Sequence, residues 1–324
     1  MDTQTISNNK SECYNFCTLT GKDYVVRVIA LHHSLQRHAA HFKLWICCID
    51  DVSYNLLLRM DLQDVVVFRL DAFSDERVHQ MRNERNVAEF CWTLKSILIE
   101  HLLTENDIDS IIYCDGDIYF FSDPKDIFDD WGESSVYLCP QRDYAYVEQT
   151  YGKYQAGLIG FKNDQYGLEG LRWWKERCLE WCSAQPDGER FGDQKYLDTL
   201  AVAFQNIKVS THIGVDAAPW NCVYGDNYFH IHVIDNQVYL NNSKLVAFHF
   251  SSISMFSEDD FDLWTITPLH ISDVIMYHIY VPYLTKIREV MKEVKEIDEN
   301  TWLATLAPYY GGDQVKNYYR YPSY

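Results

Sequence analysis

The sequence contains few basic residues for its length. Its 324 residues include 28 lysines and arginines against 47 aspartates and glutamates, which gives a formal net charge of −19. Non-specific binding to nucleic acid depends on a positively charged surface, and a polybasic membrane anchor depends on clustered lysines and arginines. The charge balance therefore argues against both functions.

The sequence also has no recognisable signal peptide, no apolar run long enough to span a bilayer, and no pair of cysteines with C-x-x-C spacing. Several of its ten cysteines lie in apolar runs, such as residues 45–49, where cysteine behaves as a small hydrophobic residue. Cys178 and Cys182 are one helical turn apart, but no nearby His or Cys completes a metal site, so core packing explains them better. We therefore expect a protein of the reducing cytoplasm without an integral membrane segment.

No internal repeat or low-complexity linker divides the chain, which is long enough to bury one large core. Residues 1–11 are polar, and we expect them to be disordered. Residues 12–265 are expected to form one α/β domain. The composition changes after about residue 266, which predicts a helical, tyrosine-rich C-terminal appendage over residues 266–324.

Apolar strands alternate with amphipathic helices along residues 12–265. The predicted strands include residues 14–18, 42–49, 65–68, 111–114, 135–139, 156–161 and 244–250, and the longer predicted helices are residues 25–36, 53–60, 86–103 and 168–182. A polar, tyrosine-rich stretch over residues 143–154 is predicted to be a loop. This alternation predicts a mostly parallel sheet with right-handed crossovers and helices on its faces.

The clearest candidate site follows the predicted strand at residues 111–114. Asp115 and Asp117 end this apolar run, Gly116 separates them, and a second apolar run follows. The carboxyl end of such a strand borders the ligand crevice of an open α/β sheet. Two carboxylates one residue apart can share a hard divalent cation, and glycine permits a ligand to approach closely. An ordinary polar turn is the alternative, but the flanks are too apolar for it, and we therefore predict a metal site.

Several stretches, taken in order, resemble the GT-A glycosyltransferases of family 8, which use nucleotide-sugar donors and include glycogenin and bacterial lipopolysaccharide galactosyltransferases. The resemblance covers about residues 13–256. The matching positions are Asp115 and Asp117 for the D-x-D motif, Thr18, Thr20 and Tyr24 for the first strand and turn, Gln155-Ala156-Gly157 for Asn-Ala-Gly, Asp193-Gln194 for an Asp-Gln pair, and His249 for a histidine on the last core strand. The tryptophan-rich stretch at 173–182, with 192–195 and 218–221, also looks like a set of uncharacterised bacterial glycosyltransferase-like proteins.

The resemblance implies a Rossmann-like GT-A domain and a role for each matched residue. It implies that Mn²⁺ or Mg²⁺ is bound by Asp115, Asp117 and His249 on the donor diphosphate. It also implies that Tyr24 stacks on the base, that Thr18 and Thr20 contact the nucleotide, and that Gly116 and residues 155–157 lie near the donor. Asp193 and Gln194 would face the anomeric carbon, and Trp220 is a candidate for stacking on sugar.

The sequence departs from family 8 at two of these positions. The lysine that usually follows the metal-binding histidine is missing, and Lys95 on the preceding helix is a candidate to supply its positive charge. Gln155 replaces the asparagine of the family motif. For His249, a hydrogen-bonded core residue is the alternative interpretation. For Asp193 and Gln194, the alternative is a helix N-terminus, where aspartate caps the helix or complements its dipole.

The resemblance therefore implies a metal-dependent glycosyltransferase that moves a sugar, with UDP-sugar favoured as donor, to a glycan or other hydroxyl acceptor with retention of configuration. A role in bacterial surface glycan synthesis would follow. Three alternatives stay open: an inverting enzyme with Asp193 as general base, a non-catalytic nucleotide-sugar-binding protein, and a phosphatase with an aspartate nucleophile. The last ranks lowest, because such a motif normally lies on the first strand of its domain.

Overall fold

The computed structural model describes residues 13–222, 229–309 and 314–322. A seven-stranded sheet in the order β3-β2-β1-β4-β7-β6-β8 forms its centre. Strand β7 runs antiparallel to β4 and β6, and the other strands are mutually parallel. The strands are β1 (Tyr14–Thr20), β2 (Phe42–Cys48), β3 (Val65–Arg69), β4 (Ser110–Cys114), β6 (Val136–Pro140), β7 (Tyr154–Lys162) and β8 (Ile207–Val209). The predicted α/β fold with a mostly parallel sheet is confirmed.

Helices accompany the strands of this sheet, and most of them pack on its two faces. They are α1 (Val25–His38), α2 (Asp51–Met60), α3 (Arg77–Glu84), α4 (Val87–Glu105), α5 (Lys125–Trp131), α6 (Ala145–Tyr151), α7 (Gln165–Glu180), α8 (Tyr196–Ala203) and α9 (Pro219–Cys222), with a 3₁₀ turn at Leu70–Ala72. The long helix α4 begins at a capping box, in which Asn86 and Glu89 each accept a hydrogen bond from the other's backbone N–H. No helix in the described ranges is long and apolar enough to cross a bilayer.

The side chains of the central strands alternate between two buried clusters, as the two-residue period of a strand requires. Phe16 and Ile112 pack on one face with helices α1 and α2, while Cys17 and Tyr113 pack on the other face with α4 and α7. Both faces are therefore dry. The polar residues that follow the strands are left at the edge of the sheet.

Three small sheets flank the central one. The first pairs β5 (Ile118–Phe120) with β12 (Ala247–His249), the second contains β9 (Ile231–Ile234), β10 (Gln237–Leu240) and β11 (Ser243–Lys244), and the third contains β13 (Ser254–Met255), β14 (Asp260–Asp262) and β15 (Tyr318–Arg320). The predicted single strand over residues 244–250 is therefore wrong. Lys244 pairs with β10, whereas Ala247–His249 pairs with β5, and the backbone between them bonds Gly214 instead.

The C-terminal segment consists of α10 (Asp273–Ile275), a π-helical turn at Met276–Tyr280, α11 (Val281–Ile297) and α12 (Glu299–Ala304). Leu284 and Ile287 of α11 belong to the same buried cluster as Ile29 of α1. Strand β15 pairs with β14, so one small sheet contains residues from both sides of position 265. The predicted boundary between domain and appendage stays a prediction, and the prediction for residues 1–11 lies outside the described residues.

The predicted loop over residues 143–154 contains helix α6. None of the residues of α6 is buried, so the sequence carries no apolar period from which a helix could be predicted. The stretch was predicted to be a loop because it is polar and rich in tyrosine, and two of these tyrosines, Tyr146 and Tyr151, are exposed.

Candidate functional site

A cavity of about 510 Å³ lies at the sheet edge where β1, β2 and β4 end and β7 begins. Its lining includes thirteen of the predicted site residues: Thr20, Tyr24, Lys95, Asp115, Gly116, Asp117, Gln155, Ala156, Gly157, Asp193, Gln194, Trp220 and His249. Thr18 is not among the lining residues, because its side chain is buried within β1. The reversal of β7 is what directs its first residues to this edge.

Asp115, Asp117 and His249 form a compact group of candidate metal ligands. One donor atom of each lies within 4.8 Å of the others. The antiparallel pairing of β5 with β12 sets His249 opposite Ile118, directly beside Asp117. As a result His249 Nε2 lies 3.2 Å from Asp117 Oδ1 and 3.9 Å from Asp115 Oδ2. Two carboxylates and an imidazole are a suitable donor set for Mn²⁺ or Mg²⁺, so the residues present fit such an ion.

The protonation states of His249 and Asp117 depend on each other, because the two side chains are in contact. Burial lowers the pKa of His249, but the carboxylates of Asp117 and Asp216 more than offset this, and its pKa is raised well above the usual value. Burial alone would raise the pKa of Asp117. The opposing effect of His249 and Arg27 is larger, so the pKa of Asp117 is lowered overall. Without a cation, His249 and Asp117 therefore form an ion pair. Binding of a cation requires the loss of the imidazole proton.

Behind His249 lie Gln155 and Asp216, of which sequence analysis did not identify Asp216. The Asp216 side chain is fully buried, with Oδ1 3.5 Å from His249 Nδ1. Gln155 donates a hydrogen bond to the Asp216 carbonyl at 2.9 Å, and its Oε1 lies 3.4 Å from the same Nδ1. Carboxylate or amide partners of this kind orient metal-binding histidines. Asp216 could have been recognised from the sequence because it is the only acidic residue in the apolar run 213–219.

Lys95 is a buried cation between two acids. Its side chain is 4 % exposed, and Nζ lies 3.0 Å from Asp115 Oδ1, 3.4 Å from Asp193 Oδ2 and 3.1 Å from the carbonyl oxygen of Ala156. Burial lowers its pKa, but Asp115 and Asp193 raise it more, and the net pKa is raised. Burial raises the pKa of Asp193 to about 6 even though Lys95 opposes this shift. The ammonium group is therefore held charged at the floor of the cavity.

Asp193 and Gln194 lie before helix α8 rather than in its first turn. Helix α8 starts at Tyr196 and has no side-chain cap, so the capping interpretation of Asp193 is wrong. The carboxylate instead faces Lys95, and the Asp193 carbonyl accepts a hydrogen bond from buried Trp174. Gln194 Oε1 accepts a hydrogen bond from the backbone N–H of Ala156, and its Nε2 donates to the Tyr151 carbonyl. The pair is thus fixed by β7, α4 and the end of α6.

Two aromatic side chains flank the cavity. Tyr24 is 38 % exposed, its hydroxyl donates a hydrogen bond to Asp117 Oδ2 at 3.1 Å, and the Arg27 guanidinium lies 4.4 Å from its ring centre. Trp220 donates a hydrogen bond to the Gln141 carbonyl, and its ring centre lies 6.3 Å from that of His249. Tyr24 therefore offers an accessible ring face and is also bonded to a candidate metal ligand.

Gly157 should be required for the position of His249. A Cβ at residue 157 would lie 2.5 Å from Cε1 and 2.7 Å from Nδ1 of His249, closer than real contacts allow. We expect Gly157→Ala to displace the imidazole and weaken Mn²⁺ binding by roughly ten- to a hundredfold, measured by calorimetry. Gly170→Ala is the matched control, because its Cβ would meet nothing closer than 3.8 Å. Unchanged Mn²⁺ affinity in folded Gly157→Ala would contradict the assigned site.

Comparison with known protein sequences identifies two related bacterial proteins. No protein-family model matches it. The Bacillus subtilis (strain 168) protein YfnD, described as uncharacterized, is 28 % identical over 289 residues, which cover 87 % of this chain and 91 % of YfnD. YfnF of the same organism, also described as uncharacterized, is 31 % identical over 253 residues, which cover 75 % of this chain and 82 % of YfnF.

Solved structures identify the fold. A crystal structure of the galactosyltransferase LgtC in complex with donor and acceptor sugar analogs has a TM-score of 0.54 at 11 % identity, covering 85 % of this chain and 95 % of that chain. An active-site mutant of LgtC has the same TM-score and identity and covers 90 % of this chain and 100 % of that chain. The predicted GT-A architecture is confirmed by this likeness. The chain has the GT-A fold and belongs to the same family as YfnF of Bacillus subtilis.

Proposed function

We propose that this protein is a metal-dependent glycosyltransferase. It transfers a sugar from a nucleotide-sugar donor, of which a UDP-sugar is favoured, to a hydroxyl group of a glycan acceptor in the cytoplasm, as part of surface glycan synthesis. The observation that carries the proposal is the group Asp115, Asp117 and His249 beside Lys95, at the ligand-binding edge of a GT-A sheet. The fold neighbour LgtC has been crystallised with donor and acceptor sugar analogs, which supports the same assignment.

The nucleotide would enter along β1 and the Tyr24 ring. The exposed face of Tyr24 suits stacking with a base, and Thr20 lines the same wall of the cavity. Gly116 leaves no room for a side chain, since a Cβ there would lie 2.6 Å from Val28 Cγ2. Glycine is therefore required for this turn to pack against helix α1, and its backbone lines the cavity where we place the donor.

The diphosphate would lie on the cavity side of the candidate metal site, next to the ion pair of Asp115 and Lys95. A divalent cation held by Asp115, Asp117 and His249 would offset the charge that develops on the leaving diphosphate. Lys95 adds a fixed positive charge next to the same position, which compensates for the lysine missing after His249. Because Lys95 is buried and held by three oxygens, it needs little reorganisation when that charge develops.

The positions of Asp193 and Gln194 favour retention over inversion. A general base for an inverting reaction must reach the acceptor hydroxyl, either directly or through one water. The Asp193 side chain is only 4 % exposed and lies in ion-pair contact with Lys95, whereas Gln194 is half-buried at the cavity wall. We therefore assign Asp193 to the positioning of Lys95 and Gln194 to the vicinity of the anomeric carbon.

A nucleotide-release screen tests the proposal. Purified protein is incubated with UDP-, GDP- and CMP-sugars, with Mn²⁺ or with EDTA, and free nucleotide is quantified. We expect release from a UDP-sugar that requires Mn²⁺. Binding of UDP without release from any donor and with any acceptor would instead assign a non-catalytic nucleotide-sugar-binding protein. Absence of both binding and release would overturn the nucleotide-sugar assignment.

Substitutions of Tyr24 separate stacking from the hydrogen bond to Asp117. Aromatic stacking of a base is worth about 1–3 kcal/mol, so Tyr24→Ala should weaken UDP binding by roughly one to two powers of ten. Tyr24→Phe keeps the ring and loses only the hydroxyl, so it should retain most of the UDP affinity. Isothermal titration of both variants checks this. Equal UDP affinity in wild type and Tyr24→Ala would remove Tyr24 from the nucleotide site.

A further inference from the structure

A basic surface lies at the opposite end of helix α1 from the candidate active site. Tyr24 precedes α1 at the catalytic cavity, and the fourteen residues of the helix place its C-terminal end about 20 Å away. Two adjoining cavities of about 300 Å³ each meet there and share Arg37 and Tyr119. This surface is remote from the catalytic cavity and has none of its lining residues.

The lining of the two cavities contains two cationic side chains, Arg37 and Lys286, although the chain as a whole carries −19. It includes no carboxylate and contains five basic side chains from α1, the π-helical turn and α11: His33, Arg37, His38, His278 and Lys286. Gln36 and Asn236 add amide groups to the lining. Such a set of converging donors is typical of an anion site.

Several of these donors are not satisfied within the protein. Among the described residues Arg37, which is exposed, forms no ion pair, and the buried Nδ1 of His33 has no hydrogen-bond partner. Burial lowers the pKa of both His33 and His38, so these imidazoles contribute hydrogen-bonding groups and no fixed charge. The acids nearby are Glu289, which is paired with Lys286 at 2.5 Å, Glu293, which also interacts with Lys286, and Asp123 near His38. They leave Arg37 without a carboxylate partner.

The backbone next to this surface is irregular. The π-helical turn at Met276–Tyr280 places Tyr277 and His278 in the wall of the second cavity, and Tyr277 is 64 % exposed. Single π-helical turns are rare and are frequently found at functional sites. An exposed tyrosine ring beside basic donors offers a face for the rest of an anionic molecule, such as a sugar ring or a glycerol moiety.

From these observations we infer that the surface formed by Arg37, His33, His38, His278, Lys286 and Tyr277 binds a phosphate ester. The ester group lies against Arg37, and its organic part lies against Tyr277. A soluble sugar phosphate and a phospholipid headgroup share this chemistry, and the experiment separates them. The inference does not depend on the proposed glycosyl transfer.

The test uses the full chain in EDTA, so that binding through the candidate metal site is suppressed. Glucose 1-phosphate and inorganic phosphate are titrated by calorimetry into wild type, Arg37→Gln and the control Arg172→Gln, which removes another exposed arginine. Flotation with vesicles of phosphatidylcholine, with and without phosphatidylglycerol, forms the second arm. Loss of an Arg37–phosphate contact should weaken binding at least about tenfold, while Arg172→Gln leaves it unchanged.

The two arms assign the source of the ester. Arg37-dependent binding of glucose 1-phosphate supports a soluble sugar phosphate, and Arg37-dependent flotation only with phosphatidylglycerol supports a lipid headgroup. Equal binding by wild type and Arg37→Gln in both arms would overturn the inference. An equal loss in Arg37→Gln and Arg172→Gln would also overturn it, since it would indicate a general charge effect.

Discussion

Asp117→Asn is expected to lower the turnover of the nucleotide sugar by at least about a thousandfold. Asp117 contacts both His249 and the Tyr24 hydroxyl, and it is one of the two carboxylates that would hold the cation. Loss of the cation removes several kcal/mol of charge stabilisation from the transition state. The measurement is nucleotide release at saturating Mn²⁺, together with Mn²⁺ affinity by calorimetry.

The control for this substitution is Asp107→Asn, which changes an exposed aspartate in the turn before β4. It should leave turnover and Mn²⁺ affinity unchanged. Thermal unfolding of both variants distinguishes a local loss from unfolding. Full turnover by wild-type protein in EDTA, with no metal bound, would overturn the role assigned to Asp115, Asp117 and His249.

The second large effect is expected from Lys95→Met, which should destabilise the fold by about 3–5 kcal/mol as well as slow transfer. The substitution leaves the buried carboxylate of Asp193 without its cation, and Asp115 loses a partner at 3.0 Å. By contrast, Lys125→Met removes an exposed pair with Asp129 and should leave the stability nearly unchanged. Denaturant unfolding measures both.

The pH dependence of Lys95→Met provides a further check. The pKa of Asp193 is already about 6 in the folded protein, above that of an unfolded aspartate, and it should rise further without Lys95. A carboxyl with a raised folded pKa contributes stability below the unfolded pKa and loses it as the pH rises through the folded pKa. The variant should therefore be less impaired at pH 5 than at pH 8.

A double variant isolates the pair. Asp193→Asn added to Lys95→Met removes the uncompensated charge, so it should recover part of the stability without restoring transfer. If the double variant is no more stable than Lys95→Met, the burial of Asp193 is not the cause of the destabilisation.

The sequence predicted the parts of the site that are local in the chain. Asp115 and Asp117 were found because an apolar strand stops at them, and such strand ends meet at one edge of the sheet. Lys95 was proposed because a positive charge was missing after His249. The alternation of strands and helices predicted a mostly parallel sheet, but it did not predict the order of the strands or the antiparallel direction of β7.

The parts that were missed depend on contacts between distant segments. Asp216 reaches His249 through tertiary packing, and no short-range pattern links the two residues. Asp193 precedes a predicted helix, which suggested a cap, but its partner Lys95 lies on another helix. Helix α6 has no buried residues, so its sequence has no apolar periodicity from which a helix could be predicted.

The antiparallel pairing of β5 with β12 has a consequence for folding. Asp115 and Asp117 precede the segments from β6 to β11 in the chain, whereas His249 follows them, so the contact between the two strands closes a long loop. Contacts of such high sequence separation form late, because chain entropy must be lost before they are made. The proposed divalent ion would be held by residues on both sides of these segments, so fragments that end before β12 are expected to lack high-affinity binding.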